Sequence, residues 1–436
     1  MQQPHIVKAT GIFNVTDFKQ IKIQLLNWAN QFGSFCLLDS HGYEAQEPAG
    51  FECLLAAGSL SHITLPAGTI NAFDALQQFA SEQKGQWLFG HLAYDAGNEN
   101  DQQPMGKADG IGFADAHFFV PELVLKLCTH QLHIYCAGDA AAIYSQVLQA
   151  SKEPGQVTTE KVHIQSRMSQ AQYIATIQQL QAHIVRGDCY EINFCQEFFA
   201  KASINPVAAY QALSNISPVP FAALYKINHQ FCICASPERY LKKYGTRLLS
   251  QPIKGTAKRN HQDAAADSHS KEQLRHSKKE QSENVMVVDL VRNDLSRVCK
   301  PGTVNVDELF AVYSFAQVHQ MISTISGAVN KDVSWVKLVR ETFPMGSMTG
   351  APKRRVMQLI QQYEQTRRGL FSGTIGYIDP AGDFDFNVVI RSILYNQQTS
   401  SISLQAGSAI TFYCNAQEEY NECLLKAKSM MDVFAG

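Results

Sequence analysis

Four glutamates fall in two pairs of equal spacing. Glu280 and Glu283 are three residues apart, and so are Glu419 and Glu422. On a helix, residues at i and i+3 share a face. Two such helices set against each other would present four carboxylates to one place. Such a set of hard oxygen donors suits Mg²⁺, which usually keeps positions open for water or substrate. Either pair alone is the common pattern of a solvated helix surface. A carboxylate-bridged di-iron bundle would need ExxH on two helices, and neither stretch has it.

Other reactive side chains stand in short, distinctive contexts. Lys254 lies in Gln251-Pro252-Ile253-Lys254-Gly255-Thr256, a tight segment with the Thr256 hydroxyl near the amine. A lysine is a poor nucleophile while protonated, and burial or a neighbouring cation can free its amine. The expectation is therefore an uncharged Lys254. Glu238, in Ser236-Pro237-Glu238, follows an apolar strand, where partial desolvation would suit a general acid or base. Residues 344–353 place Gly346, Thr349 and Gly350 before a helix that opens at Pro352, a backbone cradle for an anion without the spacing of a P-loop. Arg391 closes a strand at 386–390, and Lys426 lies one turn beyond Glu422; either could clamp a carboxylate.

Apolar periodicity supplies the elements that must position these groups. Helices are expected over 169–186, with Ser169 as N-cap, and over 278–297, 351–363 and 417–433. Strands are expected at 35–39, 87–94, 117–128, 231–235, 373–378 and 386–395. The polar stretch 151–168, with Pro154-Gly155, is the best boundary candidate.

Composition narrows the function classes. The 436 residues are 45% hydrophobic and 17% charged, enough for a large core. With 37 Lys+Arg against 39 Asp+Glu, there is no basic field for nucleic acid or an anionic membrane. The first twenty residues show no signal peptide pattern, and no apolar run is long enough to cross a membrane. Eleven scattered cysteines without CxxC spacing fit reduced thiols in a cytoplasmic protein.

Taken in order, these segments resemble the chorismate-utilising enzymes, which include anthranilate synthase component I, aminodeoxychorismate synthase component I, isochorismate synthase and salicylate synthase. The resemblance rests on GDCYEIN at 187–193, SPE at 236–238, PIKGT at 252–256, KEQSEN at 279–284 and VDLVRNDLSRVC at 288–299. It continues through GSMTGAPKRR at 346–355, GTIGYID at 373–379, FNVVIRS at 386–392 and EYNECLLKA at 419–427. It implies an α+β fold of two large packed antiparallel β-sheets flanked by helices, with the active site in the cleft between them. It also divides the chain into an N-terminal region over 1–150 and a chorismate-binding catalytic region over 165–432, with 151–168 as a connection inside one composite fold. The N-terminal region holds tryptophan in some members, and Ser40, in Leu37-Leu38-Asp39-Ser40, is a candidate contact.

Within that family two positions point to amination of chorismate at C4, the aminodeoxychorismate synthase reaction. Isochorismate and salicylate synthases carry a water-activating lysine where this chain has Glu191. Anthranilate synthases typically have alanine where it has Lys254. The resemblance implies Lys254 as covalent nucleophile and Glu238 as general acid. It implies Mg²⁺ held mainly by Glu283 and Glu422 with Glu280 and Glu419 in support, and a pyruvyl carboxylate held by Arg391, Tyr377, Lys426 and backbone N–H groups around Gly407. Thr256 and Thr349 are implied pocket residues, and ammonia is expected from a separate glutamine amidotransferase subunit. The chain departs from the family at Gln320, where histidine is usual, at Gly407-Ser408-Ala409-Ile410 and at Cys414-Asn415-Ala416. Anthranilate synthase component I and a catalytically silent chorismate-binding subunit are the alternatives.

Overall fold

The strand runs of this sequence are apolar at nearly every position, so both of their faces must be covered. In the computed structural model, two antiparallel sheets meet that demand. The structure describes residues 10–43, 51–98, 107, 109–128 and 130–435; residues 1–9, which carry part of the signal-peptide expectation, lie outside the described residues.

One sheet has twelve strands and the other ten. In both, strands from before and after 151–168 are neighbours. Ser34–Asp39 pairs with Phe221–Ile227 in the larger sheet, with Leu37 opposite Leu224. Leu88–Leu92 pairs with Thr374–Ile378 in the smaller, with Gly90 opposite Gly376. Alternation along the strands divides the core. Leu37, Phe194, Ile233 and Leu404 join a cluster under the helices Phe18–Ala29, Gln170–Val185 and Ala416–Met431. Cys36, Tyr225, Cys232 and Leu394 point the other way, into a second cluster shared with Phe89, Leu241 and Phe386 of the ten-stranded sheet.

The four expected helices are present as Gln170–Val185, Lys278–Ser296, Lys353–Tyr363 and Ala416–Met431. Ser169 caps the first in a capping box, as its position predicted. Pro352 is the N-cap of the third rather than its first helical residue. Asn415 caps the fourth by accepting from the backbone N–H groups of Gln417 and Glu418. The helix Ala264–His276 had no periodic signal, because Leu274 is its one buried residue.

Two expected strands are each divided between the sheets. The run 117–128 breaks at Pro121 into Ala116–Val120 of the ten-stranded sheet and Leu123–Cys128 of the twelve-stranded one. The run 386–395 breaks into Phe384–Asn387 and Ser392–Asn396, again one in each sheet. Arg391 sits in the second crossing with φ +52°, a left-handed conformation just before Ser392–Asn396 begins, so it does not close the strand at 386–390 as expected. A parallel crossing joins Gln230–Ser236 to Arg239–Tyr244, and it carries Glu238. The two crossings are hydrogen-bonded, Ala235 N–H to Arg391 C=O at 3.2 Å and Val388 N–H to Glu238 C=O at 3.0 Å.

A buried ion pair fastens this region. Arg368 donates to Glu364 through Nε (2.9 Å) and Nη2 (2.7 Å). It also donates to the carbonyls of Met348 (2.6 Å) and Asn193 (2.8 Å), and its guanidinium lies 4.5 Å from the Tyr94 ring centre. Glu364 Oε1 accepts from the Cys195 N–H at 2.9 Å. Removing one partner of a buried, hydrogen-bonded pair leaves a naked charge. Arg368→Ala is expected to destabilise the fold by about 3–5 kcal/mol, read from chemical denaturation; a change under about 1 kcal/mol would show that the pair is not structural.

Candidate active site

The two ExxE pairs meet through helix placement. Ser277 caps Lys278–Ser296 by accepting from the Glu280 N–H, so both glutamates of that helix lie in its first turns. Val287, Val288, Val291 and Leu295 bury its apolar face, and Asn284 Oδ1 accepts from the Ser323 hydroxyl at 2.6 Å, which sets the helix rotation. On Ala416–Met431, Cys423, Ala427 and Met430 are buried and turn Glu419 inward. Lys279 Nζ reaches Glu419 across the gap at 3.6 Å. Lys426 Nζ lies 2.6 Å from Glu422 and 3.1 Å from the Gly407 carbonyl.

The acids carry the electrostatic mark of crowding. Burial pushes Glu283 up to about 7, against the pull of Lys254 and with Glu280 and Glu191 adding to the rise. Glu280 and Glu419 are raised by burial, and each is raised further by Glu422. Glu422 is the exception: burial would raise it, but Lys426 outweighs that and holds it below the usual range. Lys279 is raised because the four carboxylates outweigh its own burial.

Among the described residues, no group of three His, Cys, Asp or Glu side chains could hold an ion by itself. Magnesium needs only one or two protein carboxylates when water and substrate complete its octahedron. Four facing carboxylates, three of them made less acidic by burial, fit that requirement, with Lys279 and Lys426 balancing their charge.

Lys254 belongs to Ile253–Lys258, the edge strand of the ten-stranded sheet. Its Nζ donates to Glu191 Oε1 at 2.8 Å, and Glu191 opens the strand Glu191–Lys201 of the twelve-stranded sheet. The two side chains are 11% and 3% exposed. The nitrogen is thus turned inward, toward the acids. Its expected neutrality is corrected. Burial does favour the free amine, but Glu191, Glu283 and Glu238 outweigh it and hold the ammonium well above the ordinary lysine range. Gly255 beside it has φ +97°, and a Cβ there would stand 3.0 Å from Glu280 Oε2. Glycine therefore gives the acid its room. Gly350 lets the backbone of the facing strand approach, since a Cβ would lie 2.1 Å from the Glu191 backbone carbonyl oxygen.

Glu238 is fully buried at its sheet crossing. Burial pushes it up to about 7, although Ser347 and Lys254 pull it down. Arg391 has its pKa lowered by burial, partly offset by Glu422, and its guanidinium makes no hydrogen bond among the described residues. Gly407 lies opposite Cys195 in the ladder, and its carbonyl accepts from Lys426. In antiparallel pairing a residue's N–H and C=O point the same way, so the Gly407 N–H also faces the lysine side.

Three expected contacts are not brought here. Tyr377 packs against Phe51, Trp87 and Phe89 and lines a separate pocket with Ser40, because its strand position points it to the face away from the acids. The Thr349 hydroxyl is fully buried and donates to the carbonyls of Met345 and Gly346, which occupies it in the turn. Thr256 is exposed on the edge strand. Gln320 is buried with its amide oxygen unpartnered. The sequence reading missed Arg368 and Glu364, and saw Glu191 as the absence of a lysine rather than as the partner of one. A signal for Glu191 existed: a charge at the head of the apolar run EINFCQEFF.

The description of the chorismate binding enzyme family matches residues 34–432. An anthranilate synthase component I-like protein of Synechocystis sp. is 34% identical over 358 residues, covering 81% of this chain and 73% of that one. The chloroplastic aminodeoxychorismate synthase of Arabidopsis thaliana is 41% identical over 265 residues, 60% of this chain, and the match spans only 28% of that protein's length. The crystal structure of anthranilate synthase component I from Streptococcus pneumoniae superposes with a TM-score of 0.76 at 25% identity, over 89% of this chain and 93% of that one. No helix among the described residues is long and apolar enough to cross a membrane.

The raised Glu238 has a measurable consequence. A carboxyl whose folded pKa is raised above its unfolded value adds stability that is fully present below the unfolded pKa and lost as pH rises through the folded one. Relative to Glu238→Gln, the unsubstituted protein is expected to lose stability as pH rises from about 4.5 to about 7. Thermal unfolding of both proteins across that window checks it; parallel curves would refute the shift.

Proposed function

The chain belongs to the chorismate binding enzyme family, and on that premise we propose that it is an aminodeoxychorismate synthase component I. It converts chorismate and ammonia to 4-amino-4-deoxychorismate, a reaction of para-aminobenzoate and folate biosynthesis. The observation that carries this reading is Lys254, buried and turned toward the acidic cluster. A Mg²⁺ held by Glu283 and Glu422, with Glu280 and Glu419 in support, would anchor the ring carboxylate and draw electron density from the ring.

The chain's own residues then divide the work. Arg391, Lys426 and the Gly407 N–H receive the pyruvyl carboxylate; Arg391 has its donors free for a planar anion. The Lys254 amine attacks C2 as Glu238 gives its proton to the departing C4 hydroxyl, which leaves as water. A carboxyl near 7 is protonated often enough at neutral pH to serve. Ammonia adds at C4, the bond from C2 to Lys254 breaks, and its electron pair returns to the lysine. Two displacements replace one difficult one.

Ammonia comes from a separate glutaminase subunit, in keeping with the component I names among the relatives. The cavity at Ser40 is the place for tryptophan, as regulator or structural ligand. The component I-like relative favours a second reading, anthranilate synthase component I, in which amination falls at C2.

Mass spectrometry and chromatography of the product from chorismate, ammonia and Mg²⁺ separate the two. Lys254→Ala is expected to lose C4 amination by about 10²-fold or more; an undiminished rate would exclude the covalent route. Glu283→Gln is expected to raise the Mg²⁺ concentration needed for chorismate binding, and an unchanged titration would remove Glu283 from the metal site.

A further inference from the structure

Lys254 Nζ is ion-paired with Glu191 Oε1 at 2.8 Å, so a proton must leave that pair's lysine before it can react. We infer that Glu191 is the proton acceptor for Lys254, receiving the proton at Oε1 and returning it when the lysine is released. This rests on the covalent reading above. Four observations support it.

Glu191 Oε1 is the hydrogen-bond partner of Lys254 Nζ, at 2.8 Å. Solvent is a poor acceptor here, because the two side chains are only 11% and 3% exposed. The charged groups acting on Lys254 are Glu191 from the strand Glu191–Lys201, Glu283 from the helix Lys278–Ser296 and Glu238 from the sheet crossing. Glu238 must arrive protonated to act as the acid, and Glu283 is one of the carboxylates that would hold the metal. Finally, Glu191 Oε2 is buried and has no partner among the described residues. Proton transfer turns a buried ion pair into two neutral groups, which an enclosed site disfavours less.

The cycle balances. Lys254 ammonium and Glu191 carboxylate become amine and carboxylic acid. The amine bonds to C2, and the C4 hydroxyl leaves as water with the Glu238 proton. Ammonia bonds to C4 and the C2–N bond breaks, returning a neutral lysine. The new ammonium on C4 gives a proton to Glu238, and Glu191 gives its own back to Lys254.

The test compares the unsubstituted protein with Glu191→Gln, Glu191→Asp and Lys254→Ala, using chorismate, ammonium salt and Mg²⁺. Glutamine can still accept a hydrogen bond but cannot take the proton. Glu191→Gln is expected to lose roughly 10²–10³-fold in rate at pH 7 and to regain rate as pH rises. Glu191→Asp keeps the acceptor and is expected to recover part of the rate with the unsubstituted pH shape. A Glu191→Gln rate equal to or above the unsubstituted one would show that Glu191 only anchors the lysine, and would overturn the inference. A measurement independent of variant folding is adduct formation without ammonia, followed by intact mass on the unsubstituted protein between pH 5.5 and about 7. An internal acceptor gives a rate that does not climb about tenfold per pH unit; such a climb would mean solvent removes the proton. Persistent C4 amination by Lys254→Ala would instead sink the covalent reading itself, a separate outcome.

Discussion

The chain passes from one sheet to the other at two neighbouring places, and the site is built on that constraint. One crossing carries Glu238 and the other Arg391, and backbone hydrogen bonds join them. A crossing interrupts the ladder, so side chains there are free to point into the cleft. The same interruption leaves them buried between two sheets rather than in water. Glu238 shows the result, since desolvation dominates its shift. Arg368 and Glu364 hold the adjoining backbone by fastening Asn193, Cys195 and Met348. Asn193 is two residues from Glu191, and Met348 is next to Ser347 beside Glu238. A structural ion pair thus holds the backbone next to both Glu191 and Glu238.

The electrostatics describe a site at rest. Charged side chains crowd the space between two sheets and two helices, among them Glu191, Glu280, Glu283, Glu419, Glu422, Lys254, Lys279 and Lys426. Burial alone would neutralise most of them. Lysines offset that pressure, Lys254 with Glu191 and Lys426 with Glu422. A divalent cation and a dicarboxylate substrate would enter as matching charges. The resting ion pair of Lys254 accounts for how a lysine can be both buried and stable before it is needed.

Much of this was legible in residue order. The helix Lys278–Ser296 was readable from its apolar stripe, and the stripe placed Glu280 and Glu283 on one side. Ser169 marked its helix start. Ala264–His276 was invisible because a helix with a single buried residue has no periodicity to read. The runs 117–128 and 386–395 looked like single strands because both halves are buried, and an apolar pattern does not record which sheet buries it. Tyr377 was misplaced for a related reason. Its motif fixes a strand, but which face of that strand looks at the acids depends on what packs there.

The sequence by itself determined the chemical inventory and the family: two ExxE pairs, one lysine in a glycine-gated segment, and one glutamate after an apolar strand. Local spacing is enough for that, because helix and strand periods are properties of neighbouring residues. Only the tertiary structure decided that Glu191, 63 positions away, is the partner of Lys254 and that its field favours the ammonium. Protonation depends on every charge and every dry surface within a few ångströms. Those neighbours come from different sheets and helices, and only folding brings them together.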